Sequence, residues 1–505
     1  MIGIGFIEEY MKINYPNMVL RKSEGATNSE RYLIEKCENT FLSLWSYPNP
    51  FTTEKKGKEL CDVLAVFQNH IFIFSDKFCV WKGDIDKRIA WNRWYRHAVE
   101  AGAKQILGAE RYIKSNGEIF LDAKLTQRFP LPIEITSTTR IHRIIVARGA
   151  KDACVDFFNG GTGSLVVDTR IEGIHHLYEV DRDGAPVDTD AKPIFTIGLV
   201  MGRQNYFHVF DDYTLDHIMD DLDTVSDFID YLEQKEKLIE AGKDIIAEGE
   251  EEILGRHLST IENEQHCCVT ISEFQNHQCF YFADFWQNYL QNPNRYVKQK
   301  ANAQSYIWDA LLEKAFRGLM NGTLREMSHQ DYVSQAALFF RFAKPNRVER
   351  RALAKAFVDS YNEALNRIDT KSPTIHSFVR RICFETSKDT MITILWLHYP
   401  QDTPLDSFLT ARKRLLEAKI LEIVDSHKQY EYHIGIAKTL EIDRDDSDDF
   451  VYIRSDDFSS DCPEILDAKK LLMNGPTLIH RDSSSVHIEE YRAGSTTAKI
   501  PYPWE

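Results

Sequence analysis

No apolar run in the chain approaches the roughly 20 residues that a helix needs to cross a bilayer, so a membrane partner is not expected. The opening stretch, MIGIGFIEEYMKIN, lacks the basic lead and long apolar region of a signal peptide. Cysteine is sparse: nine in 505 residues, scattered and odd in number. That count argues against a disulfide framework and for a reducing, cytoplasmic setting. The glycine-rich FFNGGTGSLVVDT has no Lys after its glycines, so it is not a phosphate-binding P-loop, and a loop or hairpin is expected there. No nucleotide-binding motif argues for a motor, and no triad or nucleophile elbow supports another class of hydrolase. HCCVTISEFQNHQC brings His266, Cys267, Cys268, His277 and Cys279 close in sequence. Adjacent cysteines are awkward joint zinc ligands and no second C-x₂-C pair appears, so buried strand cysteines are the expectation. DRDDSDDFVYIR is acidic like a Ca²⁺ loop but has Asp448 at the sixth position and Arg454 at the twelfth, where Gly and Glu are needed. A solvated loop is expected there.

What remains is ordinary globular material: 43% hydrophobic and 12% aromatic residues, enough for two to four domains. The chain carries 61 Lys and Arg against 77 Asp and Glu, a net charge of −16, which does not suit a generic nucleic-acid coat. The charge is divided unevenly. Residues 1–150 hold 22 basic and 17 acidic side chains, net +5, and the remainder holds 39 against 60, net −21. Such asymmetry suggests that the basic part meets a polyanion. Its cations gather after residue 80, with Arg88, Arg93, Arg96 and Lys104 as candidate phosphate contacts, interleaved with Trp91, Trp94 and Tyr95. Exposed, these aromatics could stack on unpaired bases; otherwise they form the core face of a helix over Lys87 to Ile113.

Residues 57–77 read GKELCDVLAVFQNHIFIFSDK. Two apolar, β-branched and aromatic runs, Val63 to Phe67 and Ile71 to Phe74, flank a polar Gln68-Asn69 break, which predicts a buried β-hairpin. Alternation puts Ser75 and Lys77 on one face and Asp76 on the other. The pairing brings Asp62, heading the first strand, close to Lys77, ending the second. A carboxylate and an ammonium at the open end of a buried hairpin need a partner, a metal or solvent. Before it, TNSERYLIEKCENTFLSLW reads as a helix with its apolar stripe on Leu33, Ile34, Cys37, Phe41, Leu44 and Trp45. Glu30 lies on that stripe, Glu38 is the alternative inward acid, and Glu35 faces water. After the hairpin come the helix over 87–113 and a strand over Ile141 to Ala147.

This order of helix, hairpin, helix and strand, with Asp62 and Lys77 at its polar end, resembles the PD-(D/E)xK, or restriction-endonuclease-like, nuclease core, in particular its nuclease-related-domain branch. The resemblance covers roughly the first 150 residues. It implies an α/β core of a mixed sheet flanked by helices. It also implies a Mg²⁺ (or Mn²⁺) held by Asp62 and Glu30, with Glu38 as the alternative ligand, and Lys77 on the attacking water and the phosphate. Gln105 falls where the family places a helical Gln. The departure is Ser75, which stands in the place of the expected acid, with Asp76 one residue off as a possible second carboxylate. The implied activity is Mg²⁺-dependent hydrolysis of nucleic acid, by a DNA endonuclease or an RNA-directed variant. Large stand-alone nucleases of this kind occur among prokaryotic defence proteins against phage. The alternative is a catalytically inactive scaffold that binds nucleic acid or a protein. What separates the two is whether a second carboxylate reaches the Asp62–Lys77 face.

Beyond residue 150 the expectations are structural. Strands are expected near 195–201 and 206–210, then one amphipathic helix over DDYTLDHIMDDLDTVSDFIDYLEQKEKLIEAG, then a domain boundary in the acidic AEGEEE segment near 245–255. These divisions make 151–250 an extension of the core and 251–505 a C-terminal α+β region. That region has strands at LFFRFAK, TMITILWLHYP and EYHIGIAKTL, helices at RVERRALAKAFVDSYNEALNRI and PLDSFLTARKRLLEAKILEIVDSH, and an acidic tail segment at 441–464. It is expected to act as a sensor, as a regulatory-partner platform or in homo-oligomerisation.

Overall fold

The computed structural model describes residues 21–54, 57–187, 193–263, 265–320, 339–384, 389–424, 426–458, 462–474 and 477–486. Two compact units divide the chain, one comprising Leu20–Lys298 and the other Gln299–Glu490.

The first unit starts with α1 (Asn28–Trp45), whose N-cap Thr27 accepts from the Glu30 amide at 3.1 Å. The strands β1 (Ser46–Pro48), β2 (Val63–Phe67) and β3 (His70–Phe78) form an antiparallel meander. All five residues of β2 are buried, which is why its sequence is apolar without alternation. Gln68, at φ 54°, makes the tight turn into β3.

The helical stretch after the hairpin is α2 (Lys87–Tyr95), a π-helical turn (Arg96–Glu100) and α3 (Ala101–Lys114). It returns the chain to β4 (Arg140–Arg148), which lies parallel to β3. A Cβ at Gly102 would meet Ile145 Cγ2 at 3.2 Å and Ser75 Oγ at 3.4 Å, so glycine lets α3 lie close to β3 and β4. The helix α4 (Lys151–Phe158) and the strands β5 (Val166–Glu172), β6 (Thr196–Leu199) and β7 (His208–Phe210) follow, and β7 joins the first sheet beside β4. That sheet is mixed, in the order β1-β2-β3-β4-β7.

The single amphipathic helix expected after residue 210 is two, α5 (Thr214–Asp221) and α6 (Val225–Glu240). Thr224 starts the second by accepting from the Asp227 amide at 3.2 Å, a local cap that outcompetes helix continuation. Phe41 of α1 and Phe228 of α6 pack on Phe72 of β3, with Phe41 centred 4.8 Å from Phe72 and 5.5 Å from Phe228. These helices therefore cover one sheet face and α3 the other.

Next come β8 (Asp244–Ala247), α7 (Glu250–Ser259), β9 (Cys279–Phe282) and α8 (Phe285–Gln291). A second sheet runs β9-β8-β5-β6. The AEGEEE segment is no boundary. Glu250, Glu251 and Glu252 are buried in the first turn of α7, where Glu250 pairs with Lys235 and accepts from Tyr231. Acids at a helix N-terminus suit its dipole, and the sequence of three glutamates does not reveal their buried partners. The division between units falls later, inside α9 (Pro293–Met320).

The second unit is also mixed α/β. It contains α10 (Arg347–Arg367), β10 (His376–Phe384), β11 (Thr390–Leu397), α11 (Leu405–Val424), β12 (Tyr432–Thr439), β13 (Asp449–Arg454), α12 (Pro463–Asn474) and β14 (Thr477–Val486). Its sheet order is β13-β12-β11-β10-β14. Leu395 and Leu397 of β11 enter the core under α11, and Trp396 between them donates to Ser360 of α10 at 2.8 Å, so helices cover both faces. Of the strands expected here, LFFRFAK is helical over 339–343, an apolar run too short to betray its period. The acidic segment after 441 is ordered by ion pairs rather than solvated. Arg412, fully buried, pairs with Asp445 at 2.7 Å and Asp449 at 2.6 Å, Lys438 pairs with Asp448, and Asp449 begins β13.

Candidate functional site

The pairing of Val63 with Phe74 sets Asp62, just ahead of β2, across from the Ser75–Asp76 peptide. Asp62 is tied there by its backbone, which donates to Phe74 O at 3.1 Å and accepts from the Asn49 amide at 2.9 Å. Its Oδ2 accepts from the Asp76 amide at 2.5 Å and stands 3.3 Å from Lys77 Nζ. The Asp62 side chain is 8% exposed and that of Lys77 27%, so a nearly buried carboxylate has its counter-ion at a solvent-facing mouth.

A second carboxylate joins them from a position that sequence reasoning missed. Glu59, three residues before Asp62, accepts from Asn49 Nδ2 at 3.2 Å, and Asn49 Oδ1 in turn accepts from Ser23 Oγ at 2.9 Å. Burial pushes Glu59 up to about 7. The Asn49 hydrogen bond opposes this, while the charge of Asp62, a hydrogen bond with that carboxylate, and the charge of Glu30 add to it. Beside the Asp62 charge and away from bulk water, the neutral form of Glu59 is favoured. The only sequence signal for Glu59 was its place in the short polar loop that feeds β2.

Glu30, in the first turn of α1, accepts from the Ala26 amide at 2.8 Å, and its charge adds to the rise of Glu59. Glu38 lies two turns further along α1, half-buried, and Glu35 is exposed. Asp76 points to the opposite face, as strand alternation requires. There Ser29 Oγ donates to its Oδ2, and Arg148 Nε lies 3.2 Å from its Oδ1. Burial raises the Asp76 carboxyl against the opposing pull of Arg148 and Ser29. Asp76 is therefore engaged in a buried pair under α1, away from the Glu59–Asp62 side. Ser75 is fully buried and donates to Gln105 Oε1 at 2.9 Å, so these two candidates join each other under α3.

The expected nucleic-acid face is only partly as read. Arg93 and Arg96 are exposed, whereas Arg88 pairs with Asp86 at 3.1 Å and Lys104 with Glu100 at 2.6 Å. Trp91, Trp94 and Tyr95 are buried and cannot stack on bases. Trp91 donates to the His176 carbonyl at 2.7 Å, and these rings form the inner face of α2. The cysteines of 266–279 form no shared zinc site. Cys268 is buried with Sγ 3.7 Å from His257 Nδ1, while Cys279 is exposed on the edge strand β9, where alternate residues face water. Among the described residues the group with metal-ligand spacing is His142, His208 and Glu236, far apart in sequence and in no short motif.

No protein-family model, curated protein or solved structure matches this chain. No helix among the described residues is long and apolar enough to cross a membrane.

Proposed function

We propose that the first unit is a metal-dependent phosphodiesterase acting on nucleic acid, with DNA as the first substrate to test. In this reading Asp62, Glu59 and Glu30 hold a Mg²⁺ or Mn²⁺, and Lys77 serves the water and the phosphate. One observation carries it: a nearly buried Asp62 carboxylate 3.3 Å from a part-exposed lysine, with a second carboxyl, Glu59, raised by burial and by the Asp62 charge. A hard divalent cation takes oxygen ligands and keeps several waters, so Asp62, Glu59 and Glu30 would hold it in place of the Glu59 proton, and it would supply an activated water. The ammonium would offset charge growing on the phosphoryl oxygens as water adds to phosphorus and the ester oxygen leaves. The order helix, three-stranded meander, helix and parallel strand supports the same reading, as the family resemblance implies.

Ser75 favours a second reading, a non-catalytic scaffold. The family's acid position holds a hydroxyl already committed to Gln105.

The test incubates the full chain with plasmid DNA, linear DNA and RNA in Mg²⁺, in Mn²⁺ and in chelator, alongside Asp62→Ala and Lys77→Ala. Metal-dependent cleavage is expected in the wild type, reduced about 10²–10⁴-fold in Lys77→Ala and at least as much in Asp62→Ala. Cleavage that survives both substitutions sinks the assignment. Metal-independent binding of nucleic acid without cleavage establishes the scaffold instead.

A further inference from the structure

At the other end of β3, on the face that carries Asp76, four side chains meet that the nuclease reading does not use. His142 of β4 and His208 of β7 are both fully buried. Their ring nitrogens converge on one carboxylate oxygen of α6, with His142 Nδ1 2.8 Å and His208 Nε2 3.1 Å from Glu236 Oε1. Behind them, His70 Nδ1 lies 3.0 Å from His142 Nε2, and the two rings stack 5.3 Å apart, 3° from parallel. Arg140 stands 3.7 Å from Glu236 Oε2.

We propose that His142, His208 and Glu236 bind one divalent transition-metal cation, zinc by its ligand chemistry, with His70 orienting His142. The three ligand atoms all lie within 4.8 Å of one another. The 2.8 and 3.1 Å separations are close to those between neighbouring ligands of a cation held at about 2.0–2.2 Å. Two imidazoles and one carboxylate suit zinc and its neighbours in the first transition row, whereas Mg²⁺ and Ca²⁺ take oxygen. A metal on His142 Nδ1 leaves its Nε2–H to donate to His70, the outer contact that fixes ring orientation in such sites. Arg140 engages Glu236 Oε2 and leaves Oε1 for the cation. His208 Nδ1 is buried with no hydrogen-bond partner, so the ring's useful atom is the Nε2 aimed at Glu236.

Three protein ligands leave a fourth position. A cavity of about 350 Å³, lined in part by Arg140, Tyr206 and Glu236, opens beside the carboxylate. A fourth ligand from solvent fits a site open to exchange better than a closed structural one. This site is independent of the Asp62 cluster.

The test uses the full chain, purified without chelator and with any affinity tag removed. Elemental analysis is expected to find one zinc per chain in the wild type and in Asp62→Ala, and little in His208→Gln or Glu236→Gln. After chelation, Co²⁺ titration is expected to give visible d–d bands that saturate at one equivalent, with no thiolate charge-transfer band. His70→Ala is expected to keep those bands while weakening affinity about 10–100-fold. Wild type that takes up neither Zn²⁺ nor Co²⁺ overturns the proposal, as does equal metal in wild type and both folded ligand variants. A thiolate band also overturns it, by moving the metal to cysteine. Because that band is read on wild-type protein, the outcome stands even where a variant fails to fold.

Discussion

The two ends of β3 solve the burial of polar groups in opposite ways. At the Lys77 end, acids crowd together. Asp62, Glu59 and Glu30 act on one another across a solvent-facing mouth, and burial with mutual repulsion raises Glu59 to about 7. At the His70 end, imidazole rings surround one acid. Burial holds His70 and His208 to about 4, and although burial also works against the Glu236 carboxylate, hydrogen bonds from His142 and His208 keep it well below the usual carboxylate range. The first end is under-compensated and gains from a cation that neutralises it. The second is satisfied pairwise, and a cation there replaces protons already in place. One strand thus separates an end suited to a hard, charge-neutralising cation from an end suited to a borderline one.

The largest expected effect comes from removing a counter-charge at the acidic end. Arg148→Ala leaves the Asp76 carboxylate buried under α1 without its guanidinium. Breaking a buried pair costs about 3–5 kcal/mol. At the histidine end Glu236→Ala in chelator leaves two buried imidazoles with unmet hydrogen bonds, a loss of about 1–3 kcal/mol. Denaturant unfolding of both variants ranks the two ends. Equal losses would erase the distinction between charged and neutral burial.

Acidity separates the ends by sign. In chelator, the folded chain binds the Glu59 proton more tightly than the unfolded chain, whose carboxyl titrates near its ordinary 4.5. That end therefore gains stability as pH falls from about 7 toward 4.5, and its penalty is complete above 7. His70 and His208 do the reverse. With folded values near 4 against an ordinary 6.5, their contribution is full above 6.5 and is lost as pH falls toward 4. Glu59→Gln removes only the gain, so its unfolding midpoint is expected to fall more steeply than that of wild type between pH 6.5 and 4.5. Parallel profiles would mean that folding does not raise the Glu59 carboxyl.

The hairpin, its flanking helices and the parallel strand were legible because their signals are local: apolar runs, a two-residue break, capping residues. Asp62, Lys77 and the turn of Asp76 to the opposite sheet face follow from strand alternation alone. Glu59 was not legible, since nothing in GKEL says that the loop folds back on Asp62. The histidine cluster was even less so: His70, His142, His208 and Glu236 become neighbours only through sheet order. The buried Trp91, Trp94 and Tyr95 beside exposed Arg93 and Arg96 show the limit of composition, which reports that cations and aromatics alternate and leaves the inward face open.

Those two arginines give a smaller effect. If nucleic acid approaches the Lys77 mouth along α2, Arg93→Glu with Arg96→Glu weakens binding. The slope of log affinity against log salt is then expected to fall by about one for each phosphate that the chain no longer neutralises. Arg88→Ala and Lys104→Ala should matter less, because Asp86 and Glu100 already neutralise them. A slope unchanged in the double variant moves the binding face elsewhere.

The smallest expected effect decides most about the acidic end. Ser75→Ala deletes one buried hydrogen bond to Gln105 and should cost about 1 kcal/mol. If Ser75 stands in for the missing acid, cleavage falls with it. If Glu59 supplies that carboxylate from the loop, Ser75→Ala keeps cleavage within a few-fold of wild type while Glu59→Gln abolishes it. The structure favours the second outcome, because the Ser75 hydroxyl is fully buried against Gln105 whereas Glu59 feels the Asp62 charge directly. A metal-dependent activity that tracks Ser75 and ignores Glu59 would reverse that assignment and return the site to the strand.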